Sequence, residues 1–247
     1  DRHPEIATSD DHSGAIGFDA QEHLLNRLTE EEGQRSREIR ERGRVFLNGL
    51  KQRCERAGTD DVDIRQRYGQ LLDTLDEQQR DVALYVLGRR GRSAAHTQRD
   101  LGRHVERISR KIQRPILTVA SEFSEPKSLL VAYDGKRMTR GCITLIAGNA
   151  ALADLPVHVV MSGKQTNESE KQLHWATETL VLGGFSVETA YLPGDPEQQI
   201  MRVLNDREID ILVMGAYSQS PLRSLFFGSK TNDLLRASRV PTVTVHL

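Results

Sequence analysis

Cysteine is nearly absent from this chain, aromatic residues are sparse, and no apolar run approaches the length of a membrane span. Two cysteines in 247 residues, Cys54 and Cys142, are too few for a disulfide framework and lack metal-ligand spacing. Both read as ordinary packed thiols in a reducing compartment. The missing apolar run and the lack of a signal-peptide pattern argue against a spanning helix, so the cytoplasm is the expected location. Catalytic motifs are missing too: no nucleophile elbow, Walker loop or paired-carboxylate motif occurs. Of the eight histidines, His96 and His104 fall in a basic stretch and His158 in an apolar one, and none has the spacing of a metal pair. The chain therefore reads as a non-enzyme without a metal site.

What is present is charge, unevenly placed. A formal net charge of -1 and 28% charged residues hide an acidic cluster at Glu30, Glu31, Glu32, Glu38 and Glu41. A basic one spans Arg89, Arg90, Arg92, Arg99, Arg103, Arg107, Arg110, Lys111 and Arg114. No aromatic residues interleave with those arginines to stack bases, so a solvated helix face or an internal charge complement is preferred to a nucleic-acid surface.

In chain order, residues 1–19 are polar, carry Pro4, Gly14 and Gly17, and read as an irregular loop. Residues 20–57 place Leu24, Leu25, Leu28, Ile39, Phe46, Leu47 and Leu50 at helical spacing, which predicts one long helix or one broken at Gly33 or Gly43. Residues 62–68 alternate as a half-exposed strand. A helix over 71–79, a buried strand over 82–87, a loop from Gly88 to Gly102, a helix over 103–112 and a strand over 115–119 follow. Further strands are expected at 129–133, 157–161, 186–192 and 211–214, with a last one at 241–246. The intervening helices are expected over 139–153, 168–182, 196–206 and 230–237. Strands alternating with helices at this length predict a parallel sheet covered on both faces.

A repeat underlies this order. Gly88 and Gly215 are 127 residues apart, while Gly102 and Gly228, and Pro115 and Pro241, are 126 apart. Strand, glycine, loop, glycine, helix, proline and strand recur at one offset, which predicts tandem domains over 1–123 and 124–247. The first copy lacks the strand-helix-strand that opens the second, and 1–19 hold no apolar run to supply it. An upstream segment completing the first domain is therefore expected.

The second copy carries a recognisable pattern. Gly215-x2-Ser218-x9-Gly228-Ser229, followed by Val240-Pro241 and a terminal β run, resembles the nucleotide-binding signature of the universal stress protein family, Gly-x2-Gly-x9-Gly-Ser/Thr. Ser218 stands where that signature has its second glycine. Upstream, residues 129–135 (Leu-Leu-Val-Ala-Tyr-Asp-Gly) resemble the family's first strand with its nucleotide-contacting aspartate, Asp134. The family normally continues with a serine, where Lys136 and Arg137 stand here.

The resemblance implies an open α/β sheet of strand order 3-2-1-4-5 in the second domain. It also implies an adenine nucleotide, ATP or AMP, with Mg2+ accompanying ATP. Asp134 would meet the ribose side. Gly215, Ser218, Gly228, Ser229 and Lys230 would cradle phosphates at a helix N-terminus, and Arg223 could add a charge-assisted contact. The alternative stays open: Asp134-Gly135 is a strand-ending turn, Gly228-Ser229 a helix cap, and the protein a nucleotide-free scaffold or dimerisation module of the same fold. The first copy, with Arg103-His104 after Gly102 and no counterpart of Asp134, is expected to bind no nucleotide. The closing strands at 115–119 and 241–246 are expected at sheet edges, pairing with each other inside the chain or between chains.

Overall fold

The computed structural model describes residues 18–89, 103–119, 122–216 and 234–246. The chain divides into two compact units, 1–68 and 69–247. The first is built on one helix, α1 (Phe18–Arg56), which runs through Gly33 and Gly43 without a break. Opposite charges four residues apart support it, at Arg27 and Glu31, Glu38 and Arg42, and Lys51 and Glu55. Residues 62–68, expected as a strand, form none. Alternation makes a strand only beside a backbone that offers a ladder. Here Gln66 instead lies over Gly43, its Nε2 2.5 Å from where a Cβ would stand.

The second unit contains α2 (Leu71–Gln78), β1 (Tyr85–Gly88), α3 (Arg103–Lys111), β2 (Ile116–Val119), β3 (Leu129–Tyr133) and α4 (Arg137–Ala147). It continues with β4 (Val157–Ser162), α5 (Asn167–Leu182), β5 (Val187–Leu192), α6 (Pro196–Asp206), β6 (Ile211–Gly215) and β7 (Thr242–Val245). Among the described residues the strands form one seven-stranded sheet, ordered β1-β2-β7-β6-β3-β4-β5. Every neighbouring pair is parallel except β2 and β7. The run β5-β4-β3-β6-β7 is the expected order 3-2-1-4-5.

Local chemistry sets the helix ends. Asp195 Oδ1 accepts from the Glu197 and Gln198 N–H groups at 3.0 and 3.3 Å, and Pro196 opens α6 behind it. Thr166 and Ser169 form a reciprocal capping box at the start of α5. The helix expected over 139–153 is shorter and earlier: α4 stops before Gly148, and Asn149 caps a separate 310 turn at Ala150–Leu152.

Alternation on β3 builds the two faces. Leu129, Val131 and Tyr133 pack with Cys142, Ile143 and Ile146 of α4 and Leu180 of α5. Leu130 packs on the other side with Ile200 and Leu204 of α6. Each such side chain contributes about 1.5–3 kcal/mol on leaving water.

The repeat is visible in the registers. β1 and β2 pair from Tyr85 with Ile116 to Gly88 with Val119, and β6 and β7 pair from Leu212 with Thr242 to Gly215 with Val245. Offsets of 127 and 126 carry one set onto the other, pair for pair. The flanking bonds agree: Tyr85 N–H donates to Pro115 O at 2.9 Å and Leu212 N–H to Pro241 O at 3.0 Å. Arg89 N–H reaches Val119 O at 2.9 Å and Ala216 N–H reaches Val245 O at 2.8 Å.

β2 and β7 join the two sets by pairing Ile116 with Thr244, Leu117 with Val243, and Thr118 with Thr242. Leu117 and Val243 are counterparts in the repeat, so this pairing has a local two-fold at its centre. The closing strands therefore lie inside the sheet, and its edges are β1 and β5. β1 is also less covered than its apolar sequence implies, with Val86 59% exposed.

Basic side chains tie the halves together around that joint. His246 Nε2 donates to Ser109 O, and Arg89 donates to Leu235 O and, at 2.7 Å, to Arg236 O. Ser109 and Leu235 are themselves 126 residues apart. Arg236 Nε donates to Glu106 at 2.8 Å. Lys111 lies 2.8 Å from Asp76, and Arg114 donates to the carbonyls of Gln79 and Arg80 at 2.6 and 3.1 Å. Lys111 thus meets an internal opposite charge, while Arg89 and Arg114 donate to backbone carbonyls.

Candidate functional site

In an open parallel sheet, ligands bind beyond the carboxyl ends of the strands where strand order reverses. Here that point is the end of β3, which has β4 on one side and β6 on the other. Asp134 follows β3 directly, and Gly215 is the last residue of β6.

Asp134 is held in a closed turn. Its Oδ1 accepts from Lys136 N–H at 3.0 Å and from the Thr139 hydroxyl at 2.7 Å, and its own N–H donates to Thr139 Oγ1 at 3.4 Å. Gly135 between them has φ 73°, a left-handed conformation that glycine takes without strain. Above it lies Gln172 of α5, whose Oε1 is 1.9 Å from where a Cβ would stand. The Tyr133 hydroxyl donates to Gln172 O at 3.2 Å. The other oxygen of Asp134, Oδ2, is 3.4 Å from Lys136 Nζ, and both side chains are about half exposed.

Gly215 backs onto the first turn of α4. A Cβ there would lie 2.8 Å from Met138 Cβ and 3.2 Å from Thr139 Cγ2. Thr139 is therefore the residue that links the two strand ends, since its hydroxyl holds Asp134 while its methyl faces Gly215. Sequence reasoning missed Thr139 and Gln172. The first had a signal in the spacing Asp134-x4-Thr139, which places a hydroxyl one turn into a helix beside the strand end. The second had none, because α5 is brought there by the fold alone. Ser218, Arg223, Gly228, Ser229 and Lys230 lie outside the described residues.

The site sits on an apolar base. Burial pushes the Tyr133 hydroxyl up to about 12 and the Cys142 thiol up to about 12, with the Asp134 charge adding to both. Cys142 is inert in this setting, as expected for a packed thiol, whereas Cys54 is exposed on α1. Arg140 stacks 4.0 Å from the centre of the Trp175 ring beside the same helix pair.

A cavity of about 230 Å³ lies elsewhere, between α6 and the strands β4 and β5. His158, Glu188 and Arg207 meet there: Arg207 donates to Glu188, and His158 Nδ1 is 3.3 Å from Glu188 and 3.4 Å from Arg207. Burial lowers the His158 pKa, with Glu188 opposing and Arg207 reinforcing the shift. Neither Asp134 nor Gly215 lines this cavity. Among the described residues no group of three or more His, Cys, Asp and Glu gathers as a metal site, and no helix is long and apolar enough to cross a membrane.

Comparison with known proteins agrees with this architecture. The sequence pattern of the Universal stress protein family matches residues 143–246. Universal stress protein Slr1230 of Synechocystis is 34% identical over 234 residues, which is 94% of this chain and 82% of the relative. Universal stress protein MJ0577 of Methanocaldococcus jannaschii is 26% identical over 85 residues, covering 34% of this chain and 52% of the relative. Among solved structures, a universal stress protein from Archaeoglobus fulgidus overlays with a TM-score of 0.67 at 15% identity, over 85% of this chain and 77% of that one. At such an identity the overlay speaks for the fold, and the extended likeness to the Synechocystis protein speaks for the family. This chain belongs to the universal stress protein family.

Proposed function

We propose that the chain is a non-enzymatic stress-response module whose second repeat binds an adenine nucleotide, ATP or AMP, beyond the ends of β3 and β6. One observation carries this reading: Asp134, Gly215 and the first turn of α4 converge where strand order reverses. Thr139 fixes one carboxylate oxygen of Asp134, which leaves the other to a ribose hydroxyl once Lys136 moves aside. An ion pair this exposed is worth little and exchanges easily. Gly215, Ser218, Gly228, Ser229 and Lys230 supply the phosphate side, and Mg2+ would arrive with ATP, carried by the triphosphate. The tandem division at 123/124 stands as part of the same reading, with the β2–β7 joint as an internal version of a dimer contact, in a cytoplasmic protein.

A nucleotide-free scaffold is the second reading. It draws support from the turn at Asp134, whose Oδ1 is already held by Lys136 N–H and the Thr139 hydroxyl without a ligand. Nucleotide content separates the two. Protein purified without added nucleotide is denatured and the supernatant is run on anion-exchange chromatography. Near-stoichiometric ATP or AMP is expected, with Asp134→Ala weakening binding by about tenfold, the loss of one good hydrogen bond, and Gly228→Val abolishing it. No nucleotide, and no heat on titrating millimolar ATP with magnesium, would leave the scaffold reading in its place.

A further inference from the structure

The cavity between α6 and the strands β4 and β5 has a lining sorted by chemistry. Its floor is apolar: Val160 of β4, Ala190 and Leu192 of β5, and Val203 of α6. Val160 is 3% exposed, and the other three are half-buried against the core beneath α6. Its rim is charged. Arg207 donates to Glu188 at the end where β4 and β5 begin, and Arg202 Nε lies 3.2 Å from Asp206 along the helix. The side chains of these four are between 45% and 72% exposed. His158 sits below them with Nδ1 toward Glu188 and Arg207. Burial lowers its pKa, so at neutral pH it adds hydrogen-bonding capacity without adding charge. Two cations and two anions thus face one apolar floor.

We propose that this cavity binds a small zwitterion with a branched apolar side chain, a free aliphatic amino acid of the leucine kind. The side chain lies on Val160, Ala190 and Val203, the carboxylate meets Arg207, and the ammonium meets Glu188. Charge balance selects this class. A ligand of one sign that enters the Arg207–Glu188 pair takes one member and strands the other beside apolar surface, which is costly. A zwitterion takes both and leaves neither over. Opening the pair costs little, because ion pairs this exposed contribute little.

Size sets an upper limit. The volume of about 230 Å³ is below the roughly 300–1,000 Å³ of pockets that hold drug-sized ligands, which suits one free amino acid. The cavity is also independent of the nucleotide reading. It lies on the face of the sheet that α6 covers, whereas α4, which carries Thr139, packs on the opposite face.

The test follows amide NMR shifts of the whole chain as leucine is added, and then as two analogues that each lack one charge are added, isocaproate and isoamylamine. Leucine should shift amides of β4, β5 and α6 and saturate at millimolar concentrations or below. Each analogue should bind about tenfold or more weaker, the loss of a contact to a charged group. Glu188→Gln should weaken leucine by a similar factor and strengthen isocaproate, because Arg207 has then lost its partner. Arg207→Gln should weaken leucine and strengthen isoamylamine. Both side chains are about half exposed, so these variants should fold, which circular dichroism checks. Val203→Phe, which fills the floor, should abolish binding of all three. No shifts with leucine at millimolar concentrations would overturn the proposal. So would equal binding of leucine and either analogue, or leucine binding that neither charge variant changes.

Discussion

Gly215 has two claims on it, and geometry separates them. A glycine at a strand end can admit a ligand, but this one also admits the first turn of α4, with Met138 Cβ 2.8 Å from the missing Cβ. Gly215→Val should therefore destabilise the protein with no nucleotide present, by about 1–3 kcal/mol through overpacking. Urea unfolding reads this as a lower midpoint at an unchanged slope. An unchanged midpoint would return the glycine to a purely ligand-facing role. Asp134 was singled out through the resemblance of residues 129–135 to the family's first strand, whereas the partner that fixes it was passed over. The spacing from Asp134 to Thr139 places a hydroxyl one turn into the helix, but it is the packing of α4 against β3 that turns this hydroxyl onto the carboxylate.

Whole elements were legible where their chemistry is local and illegible where it depends on a neighbour. The start of α6 follows from Asp195 and Pro196 alone, because cap and first-turn proline act within three residues. Asp195→Ala removes the acceptor for two N–H groups and should cost about 1 kcal/mol, measured as a fall in thermal midpoint that Asp195→Ser largely restores. A fall of the same size with Asp195→Ser would point to a role other than capping. Residues 62–68 show the opposite case. Their alternation satisfies a strand template, yet a strand exists only if another backbone presents its groups alongside, and periodicity carries no information about that. β1 illustrates the same limit from the other side: its apolar run reads as buried, yet Val86 is 59% exposed, because burial depends on what packs beside a strand and not on the strand's own composition.

At the scale of the molecule, the β2–β7 joint should be sensitive to acid. His246 is 7% exposed there against Ser109 O, and burial holds its imidazole below the usual range although the Ser109 carbonyl works the other way. The unfolded chain then binds the proton more readily than the folded one. This stability is complete above about pH 6.5, the ordinary histidine value, and is lost as pH falls through the folded pKa. Thermal midpoints should drop on acidification below neutrality, and His246→Gln should flatten that slope, leaving the part that His158 contributes with the same sign. An unchanged slope would remove His246 from the account. The offset of 126 told from sequence that the closing strands correspond; that they pair antiparallel about Leu117 and Val243 is a matter of three-dimensional register. Having both partners on one chain also frees them from each other in heredity. In a dimer of identical chains every substitution at the axis appears twice, so the pairs flanking the centre must be alike. Here Ile116 faces Thr244 while Thr118 faces Thr242, so each side of one joint can drift under its own selection.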